Sequence, residues 1–176
     1  GNIALAPHSS SSGVSTESYE DVYGIADHPY LASVNDSFAF SDVAENPHKL
    51  WKAGYTRRIL AEIYDFDSIF GIEILDRNPS GSVKNIQISG IVEGRPRIIK
   101  VSGTGFRSSL SLRSTTFDVR VRPIFADLAT NYPFLGEVIY LFDQGITFGC
   151  ENRKYCPQDY VTRGEMAAFL TRALAL

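Results

Sequence analysis

The sequence predicts an α+β fold, an antiparallel β meander with short helices followed by a small all-α helical hairpin. Three observations carry that prediction. "GIEIL" and "VKNIQIS" alternate apolar and polar residues on either side of the turn-forming "RNPSG". From Phe125 onward the apolar residues instead recur at three and four: Phe134, Val138, Ile139, Leu141 and Phe142, then Met166, Phe169, Leu170 and Leu174. Thr162 with Glu165 three residues later forms a capping-box pattern, which marks where the last helix starts.

The elements follow in order. The first fifty residues are rich in Ser, Gly, Asp, Asn and Pro with short apolar pieces such as "PYLASV", which predicts loops with brief strands. "YTRRILAEIYDF" puts Ile59, Leu60, Ile63 and Tyr64 at helical spacing behind Thr56 as N-cap. The hairpin comes next, and "RPRIIKVSG" supplies a third strand after the "EGR" turn. "TGFRSSLSL" reads as a short helix and "STTFDVRV" as a last strand. The two tail helices make a hairpin of about fifty residues, too small to be stable alone, so it is expected to pack on the preceding part or on sister repeats.

Composition narrows the function classes. The 176 residues, 44% hydrophobic and 21% charged, suit one domain or two small ones. A net charge of −3, with no basic stripe carrying interleaved aromatics, argues against a general nucleic-acid binder. No apolar run reaches the length of a membrane span. "GNIALAPHSS" lacks a basic n-region, so any export signal is expected upstream. No phosphate-cradling glycine motif occurs, and no cofactor is expected. Cys150 and Cys156, the only two cysteines, flank "ENRKY". They are either a disulfide closing that loop in an exported protein or two free thiols in a reducing cell. Zinc would need two more ligands, and His8, His28 and His48 stand at no metal spacing, so no metal site is expected.

Several residues are candidates for chemistry, each with a plainer alternative. "HSSSSG", His8, Ser9, Ser10, Ser11, Ser12 and Gly13, offers small hydrogen-bonding groups for sugar hydroxyls, or is a flexible loop. Nothing near His8 supports a Ser-His-Asp triad. Glu17, Glu20 and Asp21 could pair as carboxylates for glycoside chemistry, but clustered acids before an apolar residue fit a helix N-terminus better. Trp51 could stack on a sugar, although its setting favours the core. Arg163 follows the predicted N-cap and is either a solvated surface residue or a fork for a carboxylate.

The tail resembles an S-layer homology repeat. The residues that carry the likeness are "FADL", "PFLGEVIYLFDQGITFGC", "YCP" and "VTRGEMAAFLTRAL", over Phe125 to Leu174. The resemblance implies binding to secondary polymers of the bacterial cell wall. The family's Thr-Arg-Ala-Glu motif reads here Thr162, Arg163, Gly164, Glu165, so Arg163 is expected to contact the polymer, with Thr162, Glu165 and Gly149 of the preceding turn grouped with it. The cysteines match a variant with a bridged loop, which favours the disulfide. Gly164 in place of alanine is a departure that slightly weakens the helix start.

The front is similar to the SpoIID/LytB domain of sporulation and cell-wall lytic proteins. The matching pieces are "HSSSSGVSTESYEDVYG", "PYLASVND", "NPHKLW", "ILDRNPSGSVKNIQISG" and "FRSSLSLRSTTFDV", over residues 4 to 120. That likeness implies action on peptidoglycan glycan strands, as a lytic transglycosylase or an amidase enhancer, with His8 to Gly13 in the groove. The family's catalytic glutamate helix and the Gly-His-Gly loop after "STTF" have no counterpart in these residues, so no catalytic residue is expected within them. The expected organisation is a SpoIID/LytB-like C-terminal half over 1–122 and an S-layer homology repeat over 123–176. The leading function is cell-wall glycan or secondary-polymer binding outside the cell. The alternatives are a piece of a peptidoglycan-cleaving enzyme and a non-catalytic scaffold.

Overall fold

The computed structural model describes residue 5, residues 14–41 and residues 49–174. The architecture is α+β, with a three-stranded sheet in the order β1-β2-β3 and helices at the C-terminal end. The strands are β1 (Ser68–Arg77), β2 (Val83–Val92) and β3 (Arg95–Ser102). Asn78–Ser82 and Glu93–Gly94 are too short for the crossover a parallel pair needs, so the sheet is an antiparallel meander. In the first turn the Asn78 N–H donates to the Ser82 carbonyl at 2.9 Å, and Arg77 Nη1 donates to the Gly81 carbonyl at 2.9 Å. In the second, Glu93 and Gly94 both take positive φ, 50° and 70°, the combination that matches the twist of a hairpin.

By contact the chain groups into two compact units. The first comprises Gly1–Gly54, Ile74–Ile86 and Val101–Asp118. Its helix α1 (Tyr19–Tyr23) starts at Ser18, whose Oγ accepts from the Asp21 N–H, and places Glu20 and Asp21 in its first turn. Where loops with brief strands are predicted, the described residues hold this helix, a 3-10 turn at Ser37–Phe40 and a single isolated bridge, Ser15 with Asn35. The Ser18 cap and the two first-turn acids favour helix at that point.

Helix α3 (Gly103–Ser109) forms as predicted, capped by the Ser102 hydroxyl. The strand predicted at "STTFDVRV" does not form. The Val83 N–H reaches the Thr115 carbonyl at 2.8 Å, but side chains then take over from the backbone ladder. Arg77 Nη2 donates to the Phe117 carbonyl at 3.0 Å and to Asp118 Oδ1 at 2.6 Å, and the Phe117 ring stacks on Phe106 with centroids 5.6 Å apart. Val83, Ile86, Phe106, Leu110 and Leu112 are buried here. Trp51, expected in the core, is half-buried with its ring edge-on to Phe117.

The second unit comprises Tyr55–Glu73, Gln87–Lys100 and Val119–Leu176. Helix α2 (Arg57–Tyr64) begins at the predicted cap, with Thr56 Oγ1 accepting from the Ile59 N–H. Its buried residues are Leu60 and Ala61, whereas Ile59 and Ile63 of the predicted face remain exposed. Asp143 anchors this helix and β1, accepting from Arg57 Nη2 at 2.7 Å and from Ser68 Oγ at 2.6 Å. Burial pulls the Arg57 guanidinium below its ordinary pKa, and Asp143 opposes that shift.

Both tail helices form, as α4 (Leu135–Asp143) and α5 (Arg163–Ala173). Helix α4 buries Gly136, Val138 and Ile139, and Val138 joins Phe125 and Leu128 in a cluster flanked by Tyr132, Phe142 and Tyr155. Helix α5 buries none of its residues. Of the predicted apolar positions Met166, Phe169, Leu170 and Leu174, Phe169 is half-buried, whereas Met166, Leu170 and Leu174 are 48%, 54% and 64% exposed.

Candidate functional site

The candidate site is the turn between α4 and α5 together with the first turn of α5. Cys150 and Cys156 are bonded to each other, with Cα atoms 6.0 Å apart. The bond is one of several ties. The Cys150 N–H donates to the Lys154 carbonyl at 3.0 Å, the Ala126 N–H to the Arg153 carbonyl at 2.7 Å, and Arg153 Nη2 to the Pro123 carbonyl at 2.9 Å. Asp127, from "FADL", accepts from the Tyr155 N–H at 2.9 Å and the Cys156 N–H at 2.8 Å. Desolvation works against the Asp127 charge, but those N–H groups and the Lys154 ammonium outweigh it and hold the carboxyl below the usual range.

Gly149 turns the chain into this loop at φ 82°, and a side chain there would meet the Lys154 carbonyl and the Phe125 ring. Only glycine takes that backbone at no cost. The glycine expected among the polymer contacts thus has a local structural duty.

The capping box at α5 is complete. Thr162 Oγ1 accepts from the Glu165 N–H at 3.2 Å, while Glu165 Oε2 accepts from the Thr162 N–H and hydroxyl at 2.8 Å each. The Thr162 N–H, then its hydroxyl, hold the Glu165 carboxyl below its ordinary pKa. Both side chains of the motif that flank Arg163 are therefore committed to the cap. Arg163 is the first residue of the helix, is exposed, and has no partner among the described residues. A guanidinium at a helix N-terminus, where backbone N–H groups add positive potential, suits a carboxylate on a ligand. At the other end Arg172 Nη1 donates to the Ile146 carbonyl at 2.8 Å and its guanidinium lies 5.2 Å from the Phe148 ring centroid.

The remaining sequence-predicted residues fall elsewhere. His8, Ser9, Ser10, Ser11, Ser12 and Gly13 lie outside the described residues, as does His48. Glu17 Oε1 accepts from Thr115 Oγ1 at 3.0 Å and Asp21 Oδ2 from Ser18 Oγ at 2.7 Å, so two of the three carboxylates of the predicted cluster have a hydroxyl partner, while Glu20 stands in the first turn of α1. His28 lies against Asp27 and the Tyr19 and Tyr30 rings. Asp127 is the residue that sequence reasoning missed. Its signal was its place in "FADL", a segment matched as a whole without a duty for its acid.

Residues 124–167 match the model of the S-layer homology domain. Domains of that kind bind secondary cell-wall polymers, so this segment carries cell-wall attachment and cell-surface association as its general role. No curated protein matches the chain, and no solved structure matches it. No helix among the described residues is long and apolar enough to cross a membrane.

Proposed function

We propose that the protein attaches to the bacterial wall through Arg163 and presents a SpoIID/LytB-like front, residues 1–122, to peptidoglycan glycan. The observation that carries the proposal is the division of labour in the motif. Thr162 and Glu165 spend their polar groups on the cap, while Arg163 is exposed and unpartnered among the described residues. Folding does not use that charge, and a negatively charged wall polymer would. A single charge-assisted contact is worth roughly 1.5–3 kcal/mol, about ten- to a hundredfold in affinity.

The test is retention of the purified chain on wall-polymer sacculi, with thermal melts in parallel. Arg163→Ala should lose wall retention about tenfold or more and melt as the parent does. Retention at the parental level would refute the polymer contact. For the front, the expected result is that these residues bind glycan without cutting it. Release of new sugar ends from peptide-stripped strands above the buffer control would move the reading to an enzyme.

A further inference from the structure

We propose that β3 is a docking edge for an extended acidic peptide, which adds to the sheet as a further strand. β3 is last in the sheet order, and among the described residues 95–100 make no backbone bond to anything outside the sheet. An edge of that kind is a template for another strand.

The register shows which groups are free. The Ile91 carbonyl accepts from the Asp67 N–H on the β1 side, so the backbone of Gly90 and of Val92 faces β3. Across the two-residue turn Val92 pairs with Arg95, and Gly90 with Arg97. Pro96, Ile98 and Lys100 therefore point their backbone outward. Proline has no N–H to leave unpaired at such a position. What remains is an open edge made of the Ile98 and Lys100 N–H groups and the carbonyls of Pro96, Ile98 and Lys100.

The side chains select the occupant. Arg95, Arg97 and Lys100 are exposed and have no ion pair among the described residues, and β3 contains no acid. The nearby acids Asp67 and Glu93 stand at the turn, where Asp67 Oδ2 accepts the Glu93 N–H at 2.6 Å. Arg97 lies 5.7 Å from the Phe66 ring centroid, a contact that leaves its N–H groups open. Ile98, between Arg97 and Lys100, is 64% exposed. Cations and proline bar self-pairing, because a second copy of β3 would set arginine and lysine against one another. The same charges favour a strand that carries acids at those positions. A phosphate polymer would meet the charges too, but it has no N–H for the outward carbonyls. A peptide backbone supplies donors and acceptors together, and its alternate side chains reach Ile98.

The experiment is an NMR titration of the isotope-labelled full chain with the acetylated, amidated peptide Glu-Val-Val-Glu-Thr-Glu. Laid antiparallel to β3, it sets acids opposite Lys100, Arg97 and Arg95 and a valine opposite Ile98. Amide hydrogen exchange at Ile98 and Lys100 should slow about tenfold or more at saturation. Methylating the peptide nitrogens of its third and fifth residues, which face the edge, keeps the charge and should cost about tenfold in affinity. Lys100→Glu, at an exposed position, should cost about fivefold and melt as the parent does. Unchanged exchange at Ile98 and Lys100 under excess peptide, or parental affinity in Lys100→Glu, would overturn the proposal. Equal affinity of the methylated peptide, or the same protection from inorganic polyphosphate, would overturn it in favour of a plain polyanion patch.

Discussion

Helices α4 and α5 share one apolar spacing and meet opposite fates. Helix α4 sinks Val138 into a cluster with Phe125 and Leu128, whereas α5 leaves Met166, Leu170 and Leu174 in solvent. What holds α5 is at its ends: the Thr162–Glu165 box at the start, and Arg172 on the Ile146 carbonyl and Phe148 ring near the finish. A three-and-four repeat shows that a helix has a face able to be buried. Whether it is buried depends on what the rest of the chain brings to it, and for α4 the chain brings "FADL".

The sharpest way to break this comparison is truncation on both sides of it. Phe125→Ala removes a ring that is 3% exposed and touches Phe142 and Tyr155, at 5.4 Å between centroids in each case. It should destabilise the chain by about 3–5 kcal/mol in denaturant unfolding. Met166→Ala or Leu170→Ala should stay within about 0.5 kcal/mol, as surface changes do. Equal costs on the two helices would mean that α5 is packed in solution and that the contrast is false.

The staple comes next in size. Replacing Cys150 and Cys156 with serine should cost about 2 kcal/mol, the loop-closure value for so short a ring. Intact mass before reduction should lie two hydrogens below the free-thiol value. Alkylation of both thiols without reductant would contradict the bond.

The cap is smaller again. Thr162→Ala should cost about 1 kcal/mol by removing the acceptor for the Glu165 N–H. Arg163→Ala should leave the melting temperature unchanged. A melting loss in Arg163→Ala as large as that in Thr162→Ala would make the arginine structural.

Much of this was legible in the sequence, for reasons that are local. The capping box, the hairpin around "RNPSG" and the Thr56 start of α2 each depend on residues within a few positions of one another. The illegible parts depend on distant partners. "STTFDVRV" has the composition of a strand, but Arg77 occupies the Phe117 carbonyl, a contact across 40 positions. The predicted face of α2 included Ile59 and Ile63, yet Asp143, 86 residues beyond Arg57, pins the helix start and Leu60 and Ala61 are the residues buried. Asp127 was missed for the same reason, since its N–H donors lie 28 and 29 residues downstream.

The smallest expected effect concerns that same carboxylate. Asp127 is held below its unfolded pKa, which is about 3.9, by donors on the Cys156 side of the loop. A depressed carboxyl contributes stability that is fully present above the unfolded value and is lost as pH falls through the folded one. Wild type and Asp127→Asn should therefore differ by a constant melting gap above about pH 5, and the gap should narrow steadily below about pH 4. Because Asp127 is exposed, the gap should correspond to less than about 1 kcal/mol. Glu165 is depressed as well and titrates with the same sign, so the comparison is cleanest with Glu165→Gln in both partners. A gap that persists unchanged to pH 2.5 would mean that the loop holds Asp127 through shape alone. The charge on Asp127 would then contribute nothing to the stapled turn.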